Sequence, residues 1–317
     1  MKISLITPAK KHSKNGNRAS AVRWAGFLSE QGHRVRIDMD YNDEPTDLMI
    51  ALHAWHSASS VTRYRARYPR GPLIVALGGT DVNTFMKTNP AVTEGTMDKA
   101  HALVCLHDLI ADALPHRFHN KLHVVKQSAL PLPWPRQPSV RNFDVCVVGH
   151  LRDEKDPFRT ALAARQMPKD SRLRVVHLGR AHKPTWAKQA AAEMKRNPRY
   201  LWKGEVPAWR VRREYARTQL MVISSNQEGG ANVVSEALVA GVPVIASDIP
   251  GNIGLLGRDY PGYYPVRNET ALANILHRAE TDPNFLQSLL KHGLQLRENF
   301  LPHQEAAGWH RIIELVS

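Results

Sequence analysis

At 317 residues, the chain exceeds one comfortable core and suits two domains of about 150 residues each. Apolar residues make up 43%, enough for both to fold, and 43 Lys+Arg against 29 Asp+Glu leave +14. That charge selects anionic partners (nucleotides, phosphates, nucleic acid or an anionic membrane) without choosing among them, and no apolar run approaches the length needed to span a bilayer.

The amino terminus, MKISLITPAKKH, is too short in apolar residues for a signal peptide and suits a first strand, 3–6. A polar loop follows, then a helix from about Ser20 to Gln31 with Val22, Trp24, Ala25 and Leu28 as its buried face. Gly32 ends that helix, and strands are expected at 34–39, 47–53, 73–79, 102–106 and 122–126. The segment 128-SALPLPWPRQP-138 carries four prolines and reads as an interdomain linker. A second series places strands at 143–149, 173–179, 199–204, 220–225 and 243–248. The carboxyl end, 285–316, is helical with a break at 300–302. Strands alternating with helices predict α/β domains with parallel, doubly wound sheets: 1–138, 139–300, and a terminal helix 301–317 returning to the first. Cys105 and Cys146 fall in apolar strands on either side of the boundary and read as reduced core thiols, which suits a cytoplasmic protein.

The richest stretch is 220-LMVISSNQEGGANVVSEALVAGVPVIASDIPG-251: strand, glycine turn, helix, glycine break, strand. Gly229 and Gly230 let a ligand approach the backbone, while the N–H groups of Asn232, Val233 and Val234 open a helix suited to a phosphate. Glu228 and Glu236 bracket the turn, and a carboxylate one or two turns into such a helix takes two vicinal hydroxyls, as in a ribose. The pattern predicts a sugar-nucleotide site; the bland alternative is a pair of helix-capping glutamates. The first loop offers a second anion-binding pattern: Lys10, Ser13, Asn15, Gly16, Asn17 and Arg18, without the spacing of a nucleoside-triphosphate P-loop. At further strand ends stand 53-HAWHS-57, 78-GGTD-81 and 107-HD-108. Thr80 and Asp81 are candidates to hold a substrate, and His53 or His56 to move a proton. The D-x-D at Asp38-Met39-Asp40 ends a strand away from the donor turn, and His and Cys spacings show no zinc site, so no metal is expected.

On the residues 148-VGHLRDEK-155, 204-GEVP-207, Tyr215, 224-SSNQEGGANVVSEALVAGVPVIAS-247 and Gly251, the chain resembles the family 4 glycosyltransferases of GT-B architecture. The resemblance implies two facing Rossmann-like domains with a cleft between them. It further implies that Glu228 touches donor-sugar hydroxyls beside Gly229 and Gly230. Asn232 and Val233 would donate N–H groups to the diphosphate, Glu236 would hold the ribose, and the backbone at Val206 would meet the base. Lys155 would stabilise the departing diphosphate. The family usually has Arg where this chain has His150; Arg152, two residues on, is the candidate to reach the same phosphate.

A narrower resemblance rests on PAKKHSKNGNRASAVRWA, GGTDVN and GHLRDEKDP, which are similar to the selenosugar synthases (SenB-type) of selenoneine biosynthesis. It implies transfer of a sugar from UDP-N-acetylglucosamine or UDP-glucose to selenophosphate, with UDP leaving, phosphate lost from selenium and no cofactor. The basic first loop then has a purpose, since selenophosphate is a small dianion. Three rivals stay open. One is a family 4 enzyme acting on a lipid or saccharide hydroxyl, with 186–203 as its membrane-facing helix. Another is a non-enzymatic nucleic-acid module, encouraged by 209-WRVRREYAR-217. The third is an epimerase on the same architecture. No nucleic acid and no stable membrane insertion are expected.

Overall fold

A computed structural model describes residues 1–13 and 16–317. The chain forms two compact units, Met1–Gln127 with Pro302–Ser317, and Ser128–Leu301. Unit 1 contains β1 (Lys2–Ile6), α1 (Gly16–Glu30), β2 (Arg34–Asp38), β3 (Leu48–Leu52), β4 (Leu73–Ala76), β5 (Ala102–Cys105) and β6 (Leu122–Val124). Its parallel strands lie in the order β2-β1-β3-β4-β5-β6. In unit 2, β7 (Phe143–Val148), β8 (Leu173–Leu178), α2 (Pro184–Arg196), β9 (Tyr200–Trp202), α3 (Ala208–Arg217) and β10 (Leu220–Ile223) come first. Then follow α4 (Asn232–Val239), β11 (Val244–Ser247), α5 (Pro250–Leu256) and β12 (Tyr263–Tyr264). The second parallel sheet runs β12-β11-β10-β7-β8-β9. Chain order reverses between β1 and β3 in one sheet and between β7 and β10 in the other. At such switch points the loops at the carboxyl ends of adjacent strands diverge and leave room for a ligand.

Both faces of the first sheet are covered, which explains why its central strand is apolar at every position. Along β3, Met49 and Ala51 enter the core shared with Val61, Tyr64 and Phe118. The alternate residues Leu48, Ile50 and Leu52 enter the opposite core with Trp24, Leu28 and Trp309. Trp309 belongs to the last helix, α6 (Pro302–Val316), whose return completes unit 1. The Trp24 and Trp309 rings lie 4.6 Å apart. Trp24 Nε1–H donates to the buried Glu305 at 2.7 Å, and Arg23 pairs with the same carboxylate at 2.7 Å.

Three details depart from expectation. α1 begins at Gly16, a turn early, because its polar first turn carries no apolar signal; Ser20 is nevertheless buried, bonded to Gln127 at 2.6 Å. Its buried face is Ser20, Ala21, Trp24 and Leu28, so Val22 is exposed and Ala25 only half-buried. Ala21, Trp24 and Leu28 lie three and four residues apart on one stripe, and Val22 is turned away from it. β12, two tyrosines at the sheet edge, is too short to leave a pattern in the sequence. The proline segment is strapped to unit 2: Arg136 donates to the carbonyls of Tyr215, Thr218 and Gly241, and Ala129 N–H to Phe300 O at 2.9 Å. The division between units therefore falls at 127/128, ahead of the prolines.

Candidate functional site

In unit 2 the two loops at the switch point meet. β7 ends in Gly149-His150-Leu151 and a short 3-10 turn, Asp153–Lys155; β10 ends in the turn 224–231. Lys155 Nζ forms an ion pair with Glu228 Oε1, and Ser225 Oγ–H donates to the same oxygen at 2.6 Å. Backbone contacts clamp the loops together: Asn226 N–H donates to Glu154 O at 2.8 Å and Ser224 Oγ–H to Asp156 O at 3.0 Å. Behind the turn lies a buried polar chain, in which Asn252 Nδ2 donates to Ser247 O at 2.9 Å and Ser247 Oγ–H to Ser225 O at 2.6 Å. Neither Ser247 nor Asn252 is legible in the sequence as a supporting residue, because an isolated Ser or Asn carries no periodic signal.

One turn into α4, Glu236 accepts a hydrogen bond from Tyr215 Oη at 3.1 Å. Tyr215 sits on the buried face of α3, and its burial, then the nearby Glu236 charge, raises its pKa well above the usual phenol value. It therefore stays a donor and fixes the carboxylate. Gly230 adopts φ +118, a conformation that a side chain would strain, and lets the turn reach α4. Asn232 and Val233 stand in the first turn of α4, half-buried. Val234 differs from expectation: its N–H donates to Ala231 O at 3.0 Å and does not face outward. Gly229 lies half-buried in the turn, as does Val206 between β9 and α3.

His150 is a poor substitute for a cation. Its Nδ1 accepts from Arg180 N–H at 3.1 Å; burial, then His182, Arg180 and Arg152, lower its pKa and keep the ring neutral. Arg152 is engaged loosely with Glu154 at 3.7 Å, both well exposed. Beneath this loop, His177 on β8 contacts Gly149 O at 3.0 Å through Nε2 and Tyr200 Oη at 3.0 Å through Nδ1. A neutral ring satisfies both, with Nε2–H donating and Nδ1 accepting. Burial pushes its pKa down to about 4. The unfolded chain binds this proton below about pH 6.5 and the folded protein only near pH 4, so stability falls as pH drops through that window. Denaturant unfolding at pH 7 and pH 5 is expected to show a loss of about 2 kcal/mol from this residue, absent in His177→Gln. Equal pH dependence in both proteins would refute it.

Unit 1 gathers its candidates at the same kind of edge. His53 (φ +80) is buried, with Nε2 2.7 Å from Thr80 Oγ1 and Nδ1 2.8 Å from Asp81 Oδ1. Asp81 also accepts from the N–H groups of Ala54, Trp55 and Gly78, at 2.8, 2.9 and 2.8 Å. Lys10 is exposed and Ser13 half-buried; Gly16, Asn17 and Arg18 belong to the first turn of α1 and not to the loop. Asn15 lies outside the described residues. A hollow of about 430 Å³ is lined there by Lys11, Ser13, Arg18 and Arg23 among others. Asp38 is engaged by Arg36 at 2.5 Å, and among the described residues no cluster of three metal-ligating side chains occurs. Both cysteines are buried and free; burial raises the Cys105 thiol to about 12. No described helix is long and apolar enough to cross a membrane. α2 turns the buried Glu193 inward, paired with Arg165 and Arg196.

The two-unit α/β fold is that of the GT-B transferases. Residues 135–295, which contain the whole of the unit 2 site, match the glycosyl transferases group 1 family, and the chain belongs to that family. It is 25% identical over 289 residues to a glycosyltransferase 1 domain-containing protein of Xenopus tropicalis, covering 83% of each chain. Among solved structures it is similar in fold to HepE of Anabaena, solved in complex with UDP and glucose (TM-score 0.78, 15% identity, 99% of this chain and 100% of that one). The sucrose-phosphate synthase of Thermosynechococcus elongatus is similar too (TM-score 0.82, 16% identity, 99% and 98%).

Proposed function

We propose that this glycosyltransferase moves a sugar from a UDP-sugar to selenophosphate, forming a carbon–selenium bond with release of UDP and phosphate. The observation that carries the donor half is the meeting of Lys155 and Glu228 at the switch point, with the Tyr215-held Glu236 one turn into the helix that follows. Breaking a glycosyl–phosphate bond builds negative charge on the departing diphosphate. A fixed ammonium and the first-turn N–H groups of α4 stabilise that charge without reorganising. In this reading Lys155 and the amides of Asn232 and Val233 hold the diphosphate, with Arg152 as an outer cation and His150 as a neutral wall. Glu236 takes the ribose, Glu228 with Gly229 and Gly230 takes the sugar hydroxyls, and the backbone at Val206 meets the base. HepE was solved with UDP-glucose, which supports the choice of nucleotide. The acceptor half rests on the basic first loop and the sequence resemblance: a small dianion suits Lys10, Ser13, Asn15, Gly16, Asn17 and Arg18, with His53, Thr80 and Asp81 at the same sheet edge. Selenium is strongly nucleophilic without a base, and neither metal nor cofactor enters the scheme. The reading retains a cytoplasmic location.

The test is incubation with UDP-N-acetylglucosamine or UDP-glucose, with and without selenophosphate generated in place, following UDP and selenium species by mass spectrometry. Selenium-dependent UDP release with a sugar–selenium product is the expected outcome. Glu236→Ala is expected to weaken UDP binding roughly ten- to hundred-fold, the worth of one charged hydrogen-bonding group. UDP binding that weakens in this variant without selenium dependence would keep the donor site and return the acceptor to a lipid or saccharide. Donor turnover with no acceptor would point to an epimerase.

A further inference from the structure

We infer that Thr80, His53 and Asp81 form a hydroxyl-nucleophile relay that moves the phosphoryl group from selenium to water. The inference rests on the function proposed above. That reaction breaks two bonds, sugar–phosphate and phosphorus–selenium, and the unit 2 cluster accounts for the first. After glycosyl transfer the phosphoryl group still sits on selenium, and its removal needs an oxygen nucleophile.

The relay has the graded exposure such a nucleophile requires. Thr80 is exposed, while His53 is 2% and Asp81 0% exposed. Thr80 Oγ1 lies 2.7 Å from His53 Nε2, and His53 Nδ1 lies 2.8 Å from Asp81 Oδ1. His56 N–H also approaches Nδ1, at 3.2 Å, but a single tautomer cannot serve both. We assign the proton to Nδ1, since the contact to the carboxylate is shorter and charge-assisted. Nε2 then carries the lone pair that faces the threonine hydroxyl. Asp81 is a positioning residue, locked by three backbone N–H groups from the two loops that it joins. His53 sits at φ +80, costly for any residue but glycine, and such strain persists only where the surroundings enforce it. Rings of His56 and Phe85, 4.3 and 5.6 Å away, wall the imidazole.

The neighbourhood suits a phosphoryl group. β3 and β4 are adjacent, and β1 lies on the other side of β3, so the loop bearing Lys10 and Lys11 leaves the same sheet edge. On the other side, β5 leads into His107, buried with both ring nitrogens unpaired among the described residues. Unpaired buried polar atoms on a ligand-binding edge are a second sign of a missing partner there.

In the step proposed, Thr80 Oγ attacks phosphorus, the P–Se bond breaks with its electron pair left on selenium, and the hydroxyl proton passes to His53 Nε2. The selenolate departs, and His53 releases that proton to solvent. Water then attacks the phosphothreonine. His53 accepts the water proton and returns it to Oγ as the P–Oγ bond breaks, restoring Thr80 and releasing phosphate.

The experiment measures UDP, inorganic phosphate and the mass of the selenium product in the same reaction, for the full chain and for Thr80→Val, Thr80→Ser and His53→Gln. Phosphate released per UDP is expected to fall at least tenfold in Thr80→Val and His53→Gln, with a phosphorylated selenosugar accumulating, and to recover in Thr80→Ser. Acid-quenched protein is expected to carry phosphate on the Thr80 peptide. An unchanged phosphate-to-UDP ratio in Thr80→Val overturns the relay, whatever happens in His53→Gln. UDP release independent of selenophosphate in the wild-type chain overturns the proposed acceptor instead.

Discussion

Lys155→Ala is expected to lower kcat for UDP release by about 10²- to 10³-fold, the loss seen when one fixed electrostatic partner of a developing charge is removed. The lysine is already held in place by its own neighbours. Its ammonium is paired with Glu228, and the side chains of the pair are only 19% and 11% exposed. Partial burial weakens solvent screening, so the same charge counts for more here than on an open surface. Lys155→Arg is expected to recover only part of the rate, because a planar guanidinium cannot replace a compact ammonium within a clamp closed by Asn226 and Ser224.

The pair also makes a prediction about coupling. Lys155→Ala removes the ammonium from Glu228 while the Ser225 hydroxyl still donates to that carboxylate at 2.6 Å, inside a half-buried turn. Glu228→Gln removes the charge that the lysine balances. A double-mutant cycle on UDP release should therefore be strongly non-additive, the double variant losing much less than the two single losses combined. Additive losses, or a Lys155→Ala rate within threefold of wild type, would show that the two act independently or not on the chemistry.

Much of this was legible in the sequence. All eleven expected strands occur, because a sheet buried on both faces writes itself as unbroken apolar runs such as 48-LMIAL-52 and 220-LMVI-223. Glu228 and Lys155 were legible as members of two loops, and parallel topology brings those loops to one switch point. What escaped was set by tertiary contact. The neutral state of His150 depends on burial and on His182 and Arg180, which follow thirty residues later. The start of α1 depends on a polar turn docking Ser20 against Gln127. The tight bond from Val234 N–H back to Ala231 depends on local turn geometry that residue types do not fix. Gly251 was visible as a motif residue, but its reason was not.

That reason predicts the second large effect. Gly251→Ala is expected to reduce kcat/KM for the donor about a hundredfold while the protein stays folded. A Cβ at Gly251 would lie 2.4 Å from the Glu228 carbonyl oxygen and 2.7 Å from Glu228 Cβ. The nearest obstacle is backbone, so no side chain can swing aside to make room. Retreat of α5 is opposed from behind, where Asn252 holds Ser247 and Ser247 holds Ser225. The turn carrying Glu228 must give way, and a shift of about 1 Å in a positioning residue costs on the order of 10²-fold in rate. Overpacking of this kind costs about 1–3 kcal/mol, so a lowered melting temperature should accompany the kinetic loss. Gly26→Ala is the matched control: it lies within α1 with no heavy atom within 4 Å of the added Cβ, and should gain about 0.5–1 kcal/mol. Stopped-assay UDP release and thermal melts on the two variants separate the cases. Donor kinetics within threefold of wild type in Gly251→Ala would mean that α5 does not set the position of Glu228.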